Sequence, residues 1–249
     1  MSKRSKTTPR ENKDLQGRVA VITGASRGIG LAIGDALAAA GCGLAITARH
    51  AGRLRQAAKR LEPHKVAVLS ESCDVSDPKA VEDFFRAIKM QFGKVDFLIN
   101  NAGMAHPLAD IEKLSWETWR QVLETNLSGL FLVTRSALPL MSPGGTIVNN
   151  LSVASKQVFK GMSAYCASKF GALGFTDALR EEVRERGIRV VALVPGAVDT
   201  DIWDQFWPEA PRERMVSPAT IAQAVLHAVS LPKEAVISEL MIGPTAGTL

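Results

Sequence analysis

The sequence predicts an α/β fold: a doubly wound, parallel, seven-stranded sheet with helices on both faces. Three observations carry this. Seven short, apolar, mostly β-branched runs recur along 249 residues, at 18–22, 44–47, 66–69, 95–99, 146–148, 189–194 and 236–242. Longer stretches of helical period separate them, near 28–40, 50–61, 77–92, 115–139, 163–186 and 217–230. No repeat, low-complexity block or linker interrupts the alternation, so one domain over 15–249 is the simplest account. Strand–helix alternation requires crossover connections, which make neighbouring strands parallel and cover both faces of the sheet. Right-handed crossovers then place the ligand crevice beyond the strands' carboxyl ends.

Taken in order, the first strand leads into Thr23, Gly24, Ala25, Ser26, Arg27, Gly28, Ile29 and Gly30, and then an apolar helix. Glycines let the chain turn sharply and approach a pyrophosphate, whose charge is favoured at a helix N-terminus. The spacing is Gly-x3-Gly-x-Gly without the Lys-Ser/Thr ending of a P-loop. It points to a dinucleotide, the bland alternative being a tight strand-to-helix turn. The second strand ends at Ala48, Arg49 and His50 with no acid where one would bind the adenosine ribose. Arg49, with Arg27 in the glycine loop, can instead grip a 2′-phosphate, which favours NADP over NAD.

After the third strand, Asp74-Val75 places a carboxylate either against the adenine amino group or at the start of the next helix. Asn101, Ala102 and Gly103 follow the fourth strand, small and amide residues where a cofactor must pass closely. Asn126 interrupts an otherwise apolar helix and needs partners if buried. Ser152 ends the fifth strand. Tyr165, the sole tyrosine, precedes Lys169 by four residues, so a helix presents phenol and ammonium on one face. A nearby cation stabilises phenolate, so the phenol is expected below its usual value near 10 and able to exchange a proton with a substrate oxygen.

Composition narrows the classes. No apolar run approaches the ~18 residues that span a bilayer, and the first residues have no signal-like apolar core. Cys42, Cys73 and Cys166 are odd in number and widely spaced, which fits reduced thiols in a cytoplasm. The four histidines form no metal-ligand spacing, so no metal is expected. The net charge is +5, of which residues 1–14 carry +3 (five basic, two acidic) and the other 235 only +2. That segment is read as a disordered basic tail, and no aromatic-interleaved basic stripe points to nucleic acid.

These motifs, in this order and spacing, resemble the common single-domain branch of the short-chain dehydrogenase/reductase family, with its Rossmann fold, over about residues 15–249. The resemblance implies that Ser152 and Tyr165 hydrogen-bond the substrate oxygen, with Tyr165 as acid in reduction and base in oxidation. It implies that Lys169 lowers the phenol's pKa and holds the nicotinamide ribose, and that Asn126 fixes a water between Lys169 and solvent. Pro195, Gly196, Val198 and Thr200 would complete the NADP(H) contacts. Leu151 stands where the family often has a serine, and Asn150 replaces a usual apolar residue, so a polar partner is required beside it.

For the substrate, Trp203, Phe206 and Trp207 fall on one face if their segment is helical, either as a lid over an apolar ketone or as anchors to the core or a neighbouring subunit. Met104, Val153, Phe159 and Met162 would extend the apolar wall. The resemblance adds 3-oxoacyl carrier-protein reductases, with Lys156, Lys160, Arg184 and Arg186 as docking charge, although the turn at 141–145 lacks basic residues often seen there. A small carbonyl or alcohol is thus the expected ligand, and a homotetramer the expected assembly, with a dimer as runner-up. The alternative class is a regulator that senses NADP(H) without turnover; it would be expected to have lost Ser152, Tyr165 or Lys169.

Overall fold

The structure is a computed structural model and describes residues 15–247. The segment 1–14, read above as a disordered tail, lies outside the described residues. Seven parallel strands form one sheet in the order β3-β2-β1-β4-β5-β6-β7: β1 Val19–Thr23, β2 Gly43–Ala48, β3 Val68–Ser72, β4 Val95–Asn100, β5 Met141–Asn150, β6 Arg189–Pro195 and β7 Glu239–Ile242. The crossovers are α1 Gly28–Ala39, α2 Ala51–Leu61, α3 Pro78–Gln91, α4 Trp116–Leu123, α5 Gly129–Ala137, α6 Ser163–Val183 and α7 Pro218–Ser230.

The central strands are mainly apolar because both faces are covered. Along β1, Ala20 and Ile22 pack with Leu37, Leu44 and Val225 on one side, while Val21 packs with Ile88, Leu98 and Ile147 on the other. Three of the helices start from short polar caps. Asp77 accepts from the amide of Lys79, Ser115 from Thr118 and Ser217 from Thr220, with Pro78 and Pro218 in the first turns of α3 and α7.

Four expectations shift. The third strand begins at Val68 and continues into polar Ser70–Ser72; at the sheet edge it pairs with β2 alone, so its exposed side need not be apolar. The seventh begins at Glu239 rather than 236. The expected long helix at 115–139 is divided by a π-helical turn, Glu124–Ser128, between α4 and α5, and Asn126 sits within it. Such turns widen the helix by one residue and occur preferentially at functional sites. The turn expected at 141–145 is a bulge in β5: Met141 pairs with Val95, and pairing resumes only at Thr146 with Phe97.

Candidate active site

The chain reverses its winding between β1 and β4, and beyond the carboxyl ends of the strands lies a cleft of ≈ 720 Å³. Gly24, Ser26, Arg27, Gly28 and Ile29 line it from the glycine loop. Gly24 has φ +64, and a Cβ there would come within 2.9 Å of the Ala102 backbone. At Gly30, outside the lining, a Cβ would lie 2.5 Å from the Gly24 carbonyl oxygen, so this glycine is a packing requirement. Arg27, at the N-cap of α1, has extended backbone, makes no side-chain cap, and is followed by no acid in the first turn. The helix N-terminus therefore presents uncapped amides to the cleft, which suits a phosphate.

Arg49 lines the cleft at the end of β2, joined by His50 and Arg53, which the sequence reading passed over. The signal was present: Arg53 is one turn from Arg49 at the start of α2. Arg27 was expected to face a phosphate together with Arg49; its Nη1 instead lies 2.6 Å from Asp201 Oδ2. Val75 lines the cleft, but Asp74 does not. Its Oδ1 accepts from the amide and hydroxyl of Ser76 at 3.0 and 2.7 Å, while the cap of α3 is Asp77. The carboxylate expected near an adenine is thus engaged in a local turn.

From β4, Asn101, Ala102, Gly103 and Met104 border the cleft. Asn101 Nδ2 donates to the carbonyls of Thr23 and Gly24, and its Oδ1 accepts from Asn150 Nδ2 at 2.9 Å. This is the polar partner that Asn150 required. The Asn150 carbonyl in turn accepts from Lys169 Nζ at 2.9 Å. Asn126 lies outside the lining. Its amide is bonded to both N and O of Met104 at 2.9 Å and donates to Ser168 Oγ at 3.0 Å, so it braces the cleft wall against α6.

Ser152, Tyr165 and Lys169 all face the cleft, with Lys169 Nζ 5.6 Å from the Tyr165 ring centre. Ser152 caps the turn Val153–Ser155 by accepting from the Ala154 amide at 3.1 Å, which fixes its hydroxyl. The expected depression of the phenol does not hold in this state. Burial pushes Tyr165 up to about 12, against a lowering contribution from the Ser152 hydroxyl. Burial also pulls Lys169 down to about 8. Withdrawal from water is the leading cause of both shifts.

The far wall comes from β6 and the segment after it. Pro195, Gly196, Val198 and Thr200 line the cleft, followed by Trp203, which opens a 3₁₀ turn, Trp203–Gln205, rather than an α-helix, and by Phe206 and Trp207 just after it. The rings of Phe206 and Trp207 lie 5.0 and 6.1 Å from that of Trp203, whose Nε1 donates to the Val198 carbonyl. Phe206 also packs against Ala105, Ala154, Met162 and Cys166. Phe206 thus lines the cleft and is anchored to the core at once. Val153, Phe159 and Met162 join the same wall, and Met241 on β7 with Gly243 and Pro244 just beyond it approach from the other side. Among the described residues no group of acids, histidines and cysteines could hold a metal, and no helix is long and apolar enough to cross a membrane.

A glycine-cradled crevice opposite half-buried Ser152 and Tyr165 and buried Lys169 is the geometry of dinucleotide-dependent oxidoreductases. The chain belongs to the short-chain dehydrogenase family, whose model, described as short chain dehydrogenase, matches residues 18–211. It is similar to an oxidoreductase of Staphylococcus saprophyticus, 33% identical over 93% of this chain and 99% of that protein. It is also similar to the D-threitol dehydrogenase of Mycolicibacterium smegmatis, 38% identical over 80% of this chain and 76% of that one. Among solved structures, the alcohol dehydrogenase of the archaeon Thermococcus sibiricus complexed with 5-hydroxy-NADP superposes with a TM-score of 0.86 at 34% identity, covering 93% of this chain and 98% of that one.

Proposed function

We propose that this protein is an NADP(H)-dependent oxidoreductase that interconverts a carbonyl and a secondary alcohol. The observation that carries the reading is the convergence of Ser152, Tyr165 and Lys169 on the same cleft as the uncapped glycine loop and Arg49. NADP(H) fits that cradle, and the Thermococcus relative is complexed with an NADP derivative. When bound, the nicotinamide supplies the hydride chemistry. Backbone amides of the glycine loop would hold its pyrophosphate, and Arg49, with Arg27 and Arg53, the 2′-phosphate. Asp74 would serve only through its turn.

Tyr165 keeps its proton at neutral pH, being raised to about 12. That is the state a donor to a carbonyl oxygen needs in the reductive direction. Ser152 would hydrogen-bond the same oxygen, its own hydroxyl fixed by the turn it caps. Lys169, anchored on the Asn150 carbonyl, would orient the cofactor ribose and stabilise the phenolate left behind. Asn126 acts through Met104 and Ser168 as a positioning residue. The Trp203, Phe206 and Phe159 wall suits an apolar ketone or 3-oxoacyl thioester, within one catalytic unit from Leu15 onward.

Half-exposed Phe131 and Phe170 on α5 and α6, with Met241 on β7, support self-association, a tetramer before a dimer; three unpaired cysteines support a cytoplasmic setting. The test is NADPH consumption against a panel of aromatic ketones, quinones and 3-oxoacyl thioesters. Turnover that Tyr165→Phe removes supports the reading. NADPH binding without turnover on any of them would leave a sensing regulator.

A further inference from the structure

Among the described residues, one ion pair joins the two walls of the cleft, from the glycine loop to the lid: Arg27 Nη1 lies 2.6 Å from Asp201 Oδ2. Both residues line the cleft, and Asp201 stands two residues before the turn that carries Trp203. The walls touch again alongside, since a Cβ on Gly28 would lie 3.1 Å from Thr200 Cγ2. On the opposite side the lid is tied by Gln205, whose Oε1 accepts from the Ala105 amide at 3.1 Å. Arg212 holds its base, bonding Asp199, the Thr200 carbonyl and Asp204. Arg27–Asp201 therefore closes a strap across the phosphate end of the cleft.

We propose that Asp201 is a specificity-determining residue: an internal anion that competes with the cofactor's 2′-phosphate for Arg27. The inference rests on the reading that Arg27 faces that phosphate. The side chains are 46% and 58% exposed, so the pair is exchangeable rather than locked. A phosphomonoester carries up to two charges and three acceptor oxygens, against one charge on the carboxylate, and takes a guanidinium bidentately. A dinucleotide bearing the phosphate thus displaces Asp201, and the lid strap opens at that end. One lacking the phosphate has nothing to offer Arg27, and the strap stays closed. Asp201 couples the identity of the cofactor to the freedom of the lid over the substrate.

The test is calorimetric titration of the full-length protein and its Asp201→Asn, Arg27→Gln and double variants with adenosine 2′,5′-bisphosphate and with 5′-AMP. Surface ion pairs of this kind hold with modest strength, so Asp201→Asn should tighten the bisphosphate about two- to five-fold and leave 5′-AMP unchanged. In the Arg27→Gln background the same substitution should change neither ligand. If Asp201→Asn shifts both ligands alike, or neither, while Arg27→Gln still weakens the bisphosphate selectively, competition by Asp201 is overturned and the phosphate reading stands. If Arg27→Gln leaves the bisphosphate preference intact and Arg49→Ala removes it, Arg27 is not the reader and the proposal falls. Equal affinity of wild-type protein for both ligands, scaled for charge by a salt titration, would sink the NADP reading itself.

Discussion

At the scale of single residues, Tyr165 and Lys169 each titrate away from their ordinary values, and both displacements make measurable claims. Tyr165→Phe should lower turnover by about 10²–10⁴-fold while leaving NADPH affinity nearly intact, as stopped-flow reduction and fluorescence titration would report. Lys169, pulled to about 8, is a buried cation that opposes folding at pH 7. Between pH 8 and about 10.5 the unfolded chain binds more protons than the folded one, so this contribution to stability improves as pH rises. Replacing the lysine removes a cost on the order of 3 kcal/mol, partly offset by the lost bond to Asn150. Lys169→Met should therefore raise Tm at pH 7 by a few degrees, flatten its rise between pH 8 and 10, and abolish turnover. A lower Tm would show that the ammonium is better solvated than its burial implies. The sequence marked both residues by their spacing. It could not show the direction of their titration, because burial is a property of the assembled cleft.

At the scale of elements, the glycine loop and the π-helical turn carry the geometry. Gly30 packs against the Gly24 carbonyl so closely that a methyl group must displace backbone. Gly30→Ala should cost about 1–3 kcal/mol, or several degrees in Tm, and weaken NADPH in parallel, measured by calorimetry and thermal melts. The end of β2 sets cofactor choice. Ala48→Asp should offer the ribose an acceptor and repel a phosphate, reversing a preference of about 30-fold for NADPH in kcat/KM; Arg49→Ala should weaken NADPH far more than NADH. An Ala48→Asp enzyme with unchanged preference would relocate the phosphate. Periodicity revealed the strands at the sheet centre, where two buried faces force apolar runs, and missed the polar half of β3 at the edge. It also read 115–139 as one helix, since one added residue leaves the apolar stripe almost unbroken; Asn126 was the local sign. Asp74 looked like a ligand because a carboxylate after a strand serves equally in a turn, and only the position of Ser76 decides between them.

At the scale of the whole molecule, helices α5 and α6 leave Phe131 and Phe170 each 44% exposed, with Arg135 stacked over the Phe131 ring at 5.3 Å. Aromatic surface of this kind on a sheet-covering face supports symmetric pairing. Light scattering at micromolar concentration should give a tetramer, and Phe131→Glu with Phe170→Glu should reduce it to smaller species without loss of fold by circular dichroism. A wild-type monomer would refute this. Strand order was legible in outline from alternation alone. The partnership of Arg27 with Asp201 was not, because it joins loops 174 residues apart that only the finished sheet brings together.

The reversal of winding between β1 and β4 has a consequence for how the chain is made. During synthesis β1, β2 and β3 emerge first and can pair among themselves, but the other edge of β1 waits for β4. At ~5–20 residues per second that apolar edge stands open for several seconds, a template for misassociation with another nascent copy. Its closure is marked by Asp96, which accepts from the Val19 amide at 2.9 Å and from Arg18 at 2.7 Å. A ribosome-stalled fragment ending before β4 should therefore recruit holdase chaperones, and one long enough to free Asp96 from the exit tunnel should release them.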